Sequence, residues 1–460
     1  MFDEVEEPDD TGDDPVAARV PRPRRPGMLL AVGAVTLIGA LILGGAALLR
    51  HDDGPATPRL SWGELLIADR LTGSIARVTV DGTVNAATVL PSFSGIDELS
   101  AGEGLIAVRS GVDLFIDPFD TEPQRIAVPA GFATRLIPSA DRATILIGSE
   151  GDDLTVIGAA AEIAAGTSVR SLAQLTAEPT PRYPLPDIRV DPLGHRLAIP
   201  DAANFQTVVL DLAAETVTYF PDLPLAVRDD LVVTAQRVGD RMELGMFASS
   251  GERLRTVPTE VIVGGAIPPG ASRFVFVTRS GQVWSARPSK GDAERIGTAA
   301  ISAQITSVRP GLDGRRLVVN ADDAVVVVDS DGNTIVRRDT PGATSEEVSM
   351  PNRCVTIRLG SSMELIDLDD GDLIASATDV DITGRSLDGC LVAALGPTGA
   401  VLIGEGGISP VDGSVVALAP DSTAVVVNSS GRLRLIDYDQ GLGDAVDLDV
   451  SGDLAEFIPS

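Results

Sequence analysis

Residues 325–336 read VVVVDSDGNTIV. Asp329 and Asp331 at alternate positions, followed by Gly332 and Asn333, match the opening of a calcium loop, where oxygens at alternate positions surround the ion and a glycine makes the sharp turn. The same text also describes a strand, an Asp-Gly hairpin turn and a second strand. A calcium loop closes with a bidentate acid at its twelfth position. Counted from Asp329, that position is Thr340. The expectation is therefore a turn, with no metal held by Asp329 or Asp331.

Other chemistry is limited by residue supply. The chain has two histidines, His51 and His195, and two cysteines, Cys354 and Cys390. A histidine-based triad, a structural zinc site or a haem attachment site needs more of them. His195 stands directly after a turn in DPLGHRLAIP and reads as a lone residue at the start of a strand. No Gly-x-Ser-x-Gly elbow is present. Acidic residues are too many for any one pair to stand out. No cofactor and no catalytic residue are assigned.

Composition bounds the partners. Net charge is −30 over 460 residues. Such a surface repels phosphate backbones, so nucleic-acid binding is not expected. Hydrophobic residues make up 44% of the chain, enough for a sizeable core, whereas aromatics are only 3%, too few for a sugar-stacking surface. Lys290 is the sole lysine among 36 basic residues. Together with the Ala, Gly and Asp content, that points to a bacterial genome of high GC content.

Residues 28–49, MLLAVGAVTLIGALILGGAALL, form a run of 22 residues without charge. A hydrocarbon core of about 30 Å needs about 20 such residues. Arg19, Arg22, Arg24 and Arg25 precede the run and Arg50-His51-Asp52-Asp53 follow it. The arginines place the N-terminal side in the cytoplasm. The run is longer than a signal-peptide core, and its leading segment is long. An uncleaved single span is expected. Residues 1–27 begin MFDEVEEPDDTGDDP, with eight acids, and read as a disordered acidic cytoplasmic tail with a basic juxtamembrane end. Residues 50–60 are a linker reaching at most about 36 Å, and residues 61–460 are the extracytoplasmic domain.

That domain is written as a repeat. A turn feeding a strand of β-branched residues recurs as DPLGHRLAIP, GLDGRRLVVN, SLDGCLVAAL and APDSTAVVVN. Each is followed by a strand, a Gly-containing turn and another strand, as in ELIDLDDGDLI. Units begin near 63, 102, 142, 194, 230, 271, 314, 353, 389 and 422. A period near 40 residues with strands and no helical pattern marks propeller blades of four strands. The segment LAEFIPS at 454–460 is available to complete the first unit and close the ring. TAEPTPRYPLPDI at 176–188 interrupts the period and sets Arg182 and Tyr183 between prolines, a candidate recognition loop.

GLDGRRLVVN followed by VVVVDSDGN resembles the WD40-like, TolB-type and YVTN-type β-propeller repeats of bacterial envelope proteins. LLIADRLTGSIARVTVDGTV is similar to an NHL-type repeat. The resemblance covers roughly residues 60–460. It implies an all-β fold: a single propeller of about eight to ten four-stranded blades, preceded by one transmembrane helix. The sequence departs from catalytic propellers. Streptogramin-lyase-like propellers use more than one histidine, quinoprotein propellers repeat tryptophans, and sialidase Asp boxes place a tryptophan after the turn. In this repeat Cys354 and Cys390 hold the same place in consecutive units. A disulfide between neighbouring blades is expected in an oxidising exterior, with two buried free thiols as the alternative. The expected function is a non-catalytic, membrane-anchored scaffold that binds a protein of the cell envelope. Its alternatives are a hydrolase or lyase working from carboxylates at the central channel, and a surface sensor.

Overall fold

In the computed structural model, the repeated strand–turn–strand text becomes a succession of antiparallel sheets. The structure describes residues 61–459 except 91–94, 103–104, 112, 121–123, 128–132, 137–143, 149–154, 160–166, 172–188, 192–195, 202–203, 212–213, 215, 229, 300–303, 312–313, 340–343 and 346–352. Among the described residues, forty strands form ten four-stranded sheets. The second to tenth sheets are meanders of consecutive strands, ending with Ser414–Leu418, Ala424–Ser429, Arg432–Tyr438 and Leu442–Asp447 in the tenth. The first sheet is composite. Trp62–Ala68, Ser74–Thr79 and Val84–Val89 are joined by Leu454–Pro459, which sets Leu454 opposite Ala68 and Glu456 opposite Leu66. Leu454–Pro459 also packs on Glu98–Gly102 of the second sheet and Ser414–Leu418 of the tenth. The succession thereby closes on itself, as a propeller does. The ten unit starts read from the sequence fall within a few residues of the second strand of each sheet, from Trp62 to Ala424.

The valine run at 325–328 shows why these sequences make such sheets. Val326 and Val328 pack with Val275, Val277 and Val283 of the sixth sheet. Val325 and Val327 pack with Val355, Ile357 and Ile366 of the eighth. All four are fully buried. A strand covered on both faces needs a continuous apolar run rather than alternation. The outermost strand of the tenth sheet, Leu442–Asp447, is exposed at every position, and its text LGDAVD is correspondingly mixed. The closing interface follows the same rule: Leu65, Ile67, Val78 and Phe457 pack against Val426, Leu433 and Leu435. Trp62 seals it edge-on to Phe457, with ring centroids 4.6 Å apart, and donates its indole N–H to Thr423 Oγ1 at 3.1 Å.

The DSDGN text is a turn. Asp329 Oδ1 accepts from the backbone N–H groups of Asp331 (2.9 Å) and Asn333 (2.8 Å), and Oδ2 accepts from Asn333 Nδ2 at 2.9 Å. Gly332 has φ +87°. A Cβ there would also lie 2.7 Å from Ile296 O of the preceding sheet, and one on Gly297 would overlap the Gly332 carbonyl. The turn thus sits on its neighbour's outer strand, backbone to backbone. Asp331, left free by the turn, pairs with Arg273 of the sixth sheet at 2.8 Å. Arg316 pairs likewise with Asp369 of the eighth sheet and Arg353 with Glu405 of the ninth, both at 2.5 Å. In each case an arginine beside the first turn of one sheet reaches an acid on the last turn of the next.

Among the described residues no helix is long and apolar enough to cross a membrane. The run 28–49, the acidic tail, the linker, His51, His195, Thr340, Arg182 and Tyr183 all lie outside the described residues.

Two comparisons test these contacts. Gly332→Ala combines a positive φ with a backbone overlap, so it should lower unfolding stability by more than about 1 kcal/mol. The Arg273–Asp331 pair, with Asp331 mostly exposed, should give a coupling below about 1 kcal/mol in a double-mutant cycle by urea denaturation. A larger coupling for the ion pair than the glycine cost would reverse that ranking. Removing residues 454–460 should abolish the single cooperative unfolding transition, because the first sheet loses its innermost strand; an unchanged melting curve would refute closure by Leu454–Pro459.

Candidate functional site

The eighth, ninth, tenth and first sheets meet around a polar interior. Its anchor is the turn Ser386-Leu387-Asp388-Gly389-Cys390, between Asp381–Arg385 and Val392–Gly396 of the ninth sheet. Gly389 takes φ +75°, and its N–H donates to Ser386 O at 3.1 Å. Backbone bonds hold the turn from both sides: Cys354 N–H donates to Asp388 O (3.0 Å), and Asp388 N–H donates to Pro420 O of the tenth sheet (2.8 Å).

The Asp388 side chain is 2% exposed. Its Oδ1 accepts from the Ser386 hydroxyl at 2.6 Å and from Cys390 N–H at 3.0 Å, and the Ser422 hydroxyl of the tenth sheet faces the same oxygen. Burial pushes the Asp388 carboxyl above its ordinary pKa, against the opposing pull of these hydrogen bonds and of the Arg353 charge. Beside this knot, Cys354 and Cys390 are joined by a disulfide, with Cα atoms 5.0 Å apart, within the range such bridges span. Both cysteines are buried. The bond ties the second strand of the eighth sheet to the turn that precedes the second strand of the ninth.

Next to it opens a cavity of about 380 Å³. The innermost strands of three successive sheets line it: Asp381–Arg385, Ser414–Leu418 and Leu454–Pro459. Arg385 and Glu456 bring opposite charges, and Thr383, Ser386 and Thr356 bring hydroxyls. Thr356 is 2% exposed, and its hydroxyl has no hydrogen-bond partner among the described residues. Glu456 is the only carboxylate among the lining residues. The arrangement suits binding a small polar or charged group; paired-carboxylate acid–base work would need a second acid. Among the described residues no three His, Cys, Asp or Glu side chains gather as a metal site would require.

Of the residues marked in the sequence, Cys354 and Cys390 come together here. Asp388, Arg385, Glu456 and Thr356 were not marked. Asp388 was visible only as part of the turn phrase SLDGC. Its burial depends on Ser422 and Pro420 from the next unit, a contact that no local pattern announces.

No family model matches the chain, and no curated protein matches it. Solved structures with similar topology include the crystal structure of a eukaryotic initiation factor, at TM-score 0.45 and 9% identity, covering 86% of this chain and 98% of that one. Hsv2 from Kluyvelomyces marxianus gives TM-score 0.38 and 11% identity, covering 69% and 98%. Hsv2p from Kluyveromyces lactis gives TM-score 0.36 and 11% identity, covering 69% and 99%. At these scores and identities the likenesses carry no inference about activity or partners.

The buried knot has two measurable consequences. Because the Asp388 pKa is raised in the folded chain, the folded state holds that proton more tightly than the unfolded state does. This stability contribution is complete below the unfolded carboxylate pKa, about 3.9. It is lost as pH rises through the raised folded value. Asp388→Asn keeps an oxygen for the hydroxyls and Cys390 N–H and removes the proton. The stability of the original chain should therefore fall relative to the variant as pH rises above about 4. Urea denaturation from pH 3 to 7 reads this directly, and a flat difference would refute burial as the dominant influence. Replacing both cysteines by alanine should cost roughly 3–4 kcal/mol in the chain-entropy account. Alkylation under denaturing conditions should label neither cysteine before reduction and both after it.

Proposed function

We propose that the chain is a membrane-anchored propeller that faces the exterior of a bacterial cell and binds a protein partner of the envelope, without catalysis of its own. The observation that carries this reading is the disulfide between Cys354 and Cys390, which uses both cysteines of the chain to join adjacent sheets. Such bonds persist in oxidising compartments and are rare in the cytosol. The arginines before the apolar run 28–49 independently favour an exterior domain. Closure of the sheets and the backbone contacts between them support a rigid surface, which limits the ordering cost of association.

A second reading has a specific basis in the cavity of about 380 Å³. As a hydrolase or lyase, the protein would use Glu456 as acid or base and Arg385 to hold an anionic substrate group. Glu456→Gln would then abolish turnover.

The deciding experiment is in-cell crosslinking of the full-length chain in its own host, followed by recovery and mass spectrometry. A control bears residues 1–60 only. Under the scaffold reading, the same envelope proteins should return reproducibly with the full chain and not with the control. Recovery of nothing above the control would count against it and shift attention to Glu456.

A further inference from the structure

The innermost strands of several sheets carry the same irregularity near their start. The pairing slips by one residue at Pro224/Ala226 in the fifth sheet, Ile262/Gly264 in the sixth, Ile305/Ser307 in the seventh, Ile382/Gly384 in the ninth and Val415/Ala417 in the tenth. Alanine or serine follows the slip in the fifth, seventh and tenth sheets, so the bulge itself does not demand glycine. The two glycines differ. A Cβ on Gly264 would lie 2.7 Å from Val308 O, so a neighbouring backbone excludes a side chain there. At Gly384 φ lies outside the left-handed region. A Cβ there would find only Ala393 Cβ and Leu418 Cδ1 within 4 Å, both at 3.9 Å, which is ordinary contact. Neither backbone conformation nor crowding explains glycine at this position. Glycine weakens a strand interior, and it marks places where a ligand or another backbone approaches closely; here no backbone does.

Gly384 lines the cavity of about 380 Å³, together with Ala417 and Ala455. That volume lies at the small end of the range for small-molecule sites, about 300–1,000 Å³. Arg385 of the ninth sheet brings a positive charge to the lining and Glu456 of the first a negative one, with the aliphatic side chains of Val415, Val416 and Leu418 from the tenth sheet. A singly charged ligand would meet one of the two charges as a like charge. A ligand carrying both signs is complementary to both, and a hydrocarbon part suits the aliphatic wall. Glu456 belongs to Leu454–Pro459, the strand that completes the first sheet. A ligand held between Arg385 and Glu456 would therefore join the closing strand to the ninth sheet.

We propose that this cavity binds a zwitterion of the size of an apolar amino acid, with its carboxylate at Arg385, its ammonium group at Glu456 and its side chain in the space beside Gly384, and that occupancy secures the ring at Leu454–Pro459. This goes beyond the scaffold reading and needs no catalysis: Glu456 supplies a charge and transfers no proton.

The test uses the full-length chain in detergent and equilibrium dialysis against radiolabelled alanine, valine, leucine and methionine. Leucinamide and isocaproate, each lacking one of the two charges, serve as competitors. At least one of the amino acids should bind saturably, and neither competitor should displace it at concentrations where the unlabelled amino acid does. Arg385→Gln and Glu456→Gln should each weaken binding at least about tenfold. Gly384→Val separates loss of the site from loss of the fold. Its Cβ is accommodated, so the variant should keep the melting temperature of the unliganded chain while its side chain takes up the ligand's space. Hydrogen exchange at the amides of residues 454–458 should slow on binding in the original chain and stay unchanged in Gly384→Val. Binding of none of the amino acids, displacement by either competitor, or undiminished binding to Gly384→Val would overturn the site. Binding without slower exchange at 454–458 would overturn its link to closure. The scaffold reading fails separately, since envelope partners recovered equally with Gly384→Val would leave it standing.

Discussion

No sheet in this chain can cover its own two faces. Each strand like Val325–Asp329 buries one set of side chains against the sheet before it and the alternate set against the sheet after it. A single unit would leave both sets in water, at a cost of roughly 0.8 kcal/mol for each exposed CH₂ group. The remaining features follow from that need for neighbours. Units must succeed one another, their turns must nest on the adjoining outer strands, and the first and last units must meet. The Trp62, Phe457 and Thr423 contact is where the last condition is satisfied.

Contacts between units divide into two kinds of unequal strength. Apolar interdigitation and close backbone approach, as at Gly332 and Gly297, fix the spacing of the sheets. The ion pairs at Asp331, Asp369 and Glu405 join neighbouring sheets, with Asp331 and Asp369 largely open to water and Glu405 about half so. Pairs of that kind contribute little to stability and are screened by salt. In the first two pairs the arginine lies inward and the acid outward.

Local text made the repeat legible. The Asp-Gly turns, the β-branched runs and the spacing near 40 residues yielded ten unit starts, and each matches the second strand of a sheet. The turn reading of DSDGN could be reached because a calcium loop has a fixed twelfth position, and Thr340 does not meet it. The candidate sites were less legible. Asp388 is buried by serines of two units, and the cavity beside it combines Arg385 of the ninth sheet with Val415 of the tenth and Glu456 of the first. Such groupings depend on how successive units lie against one another. Periodicity shows that units repeat, but it does not show which side chains meet across them. Arg182 and Tyr183, marked because they break the period, lie outside the described residues.

The composite first sheet also bears on how the chain reaches its folded state. Trp62–Ala68 is among the earliest parts of the domain to be synthesised, and its partner Leu454–Pro459 is among the latest. Until that partner arrives, the strand has an unpaired edge of backbone N–H and C=O groups, an invitation to pair with the wrong chain. Contacts between such distant segments also form slowly, because the loop they close is long. A nascent chain emerging from the ribosome would hold nine sheets in waiting around an open seam. Quality control during biogenesis would therefore act on that seam, and the final strand would mark the moment at which the edge ceases to be a hazard.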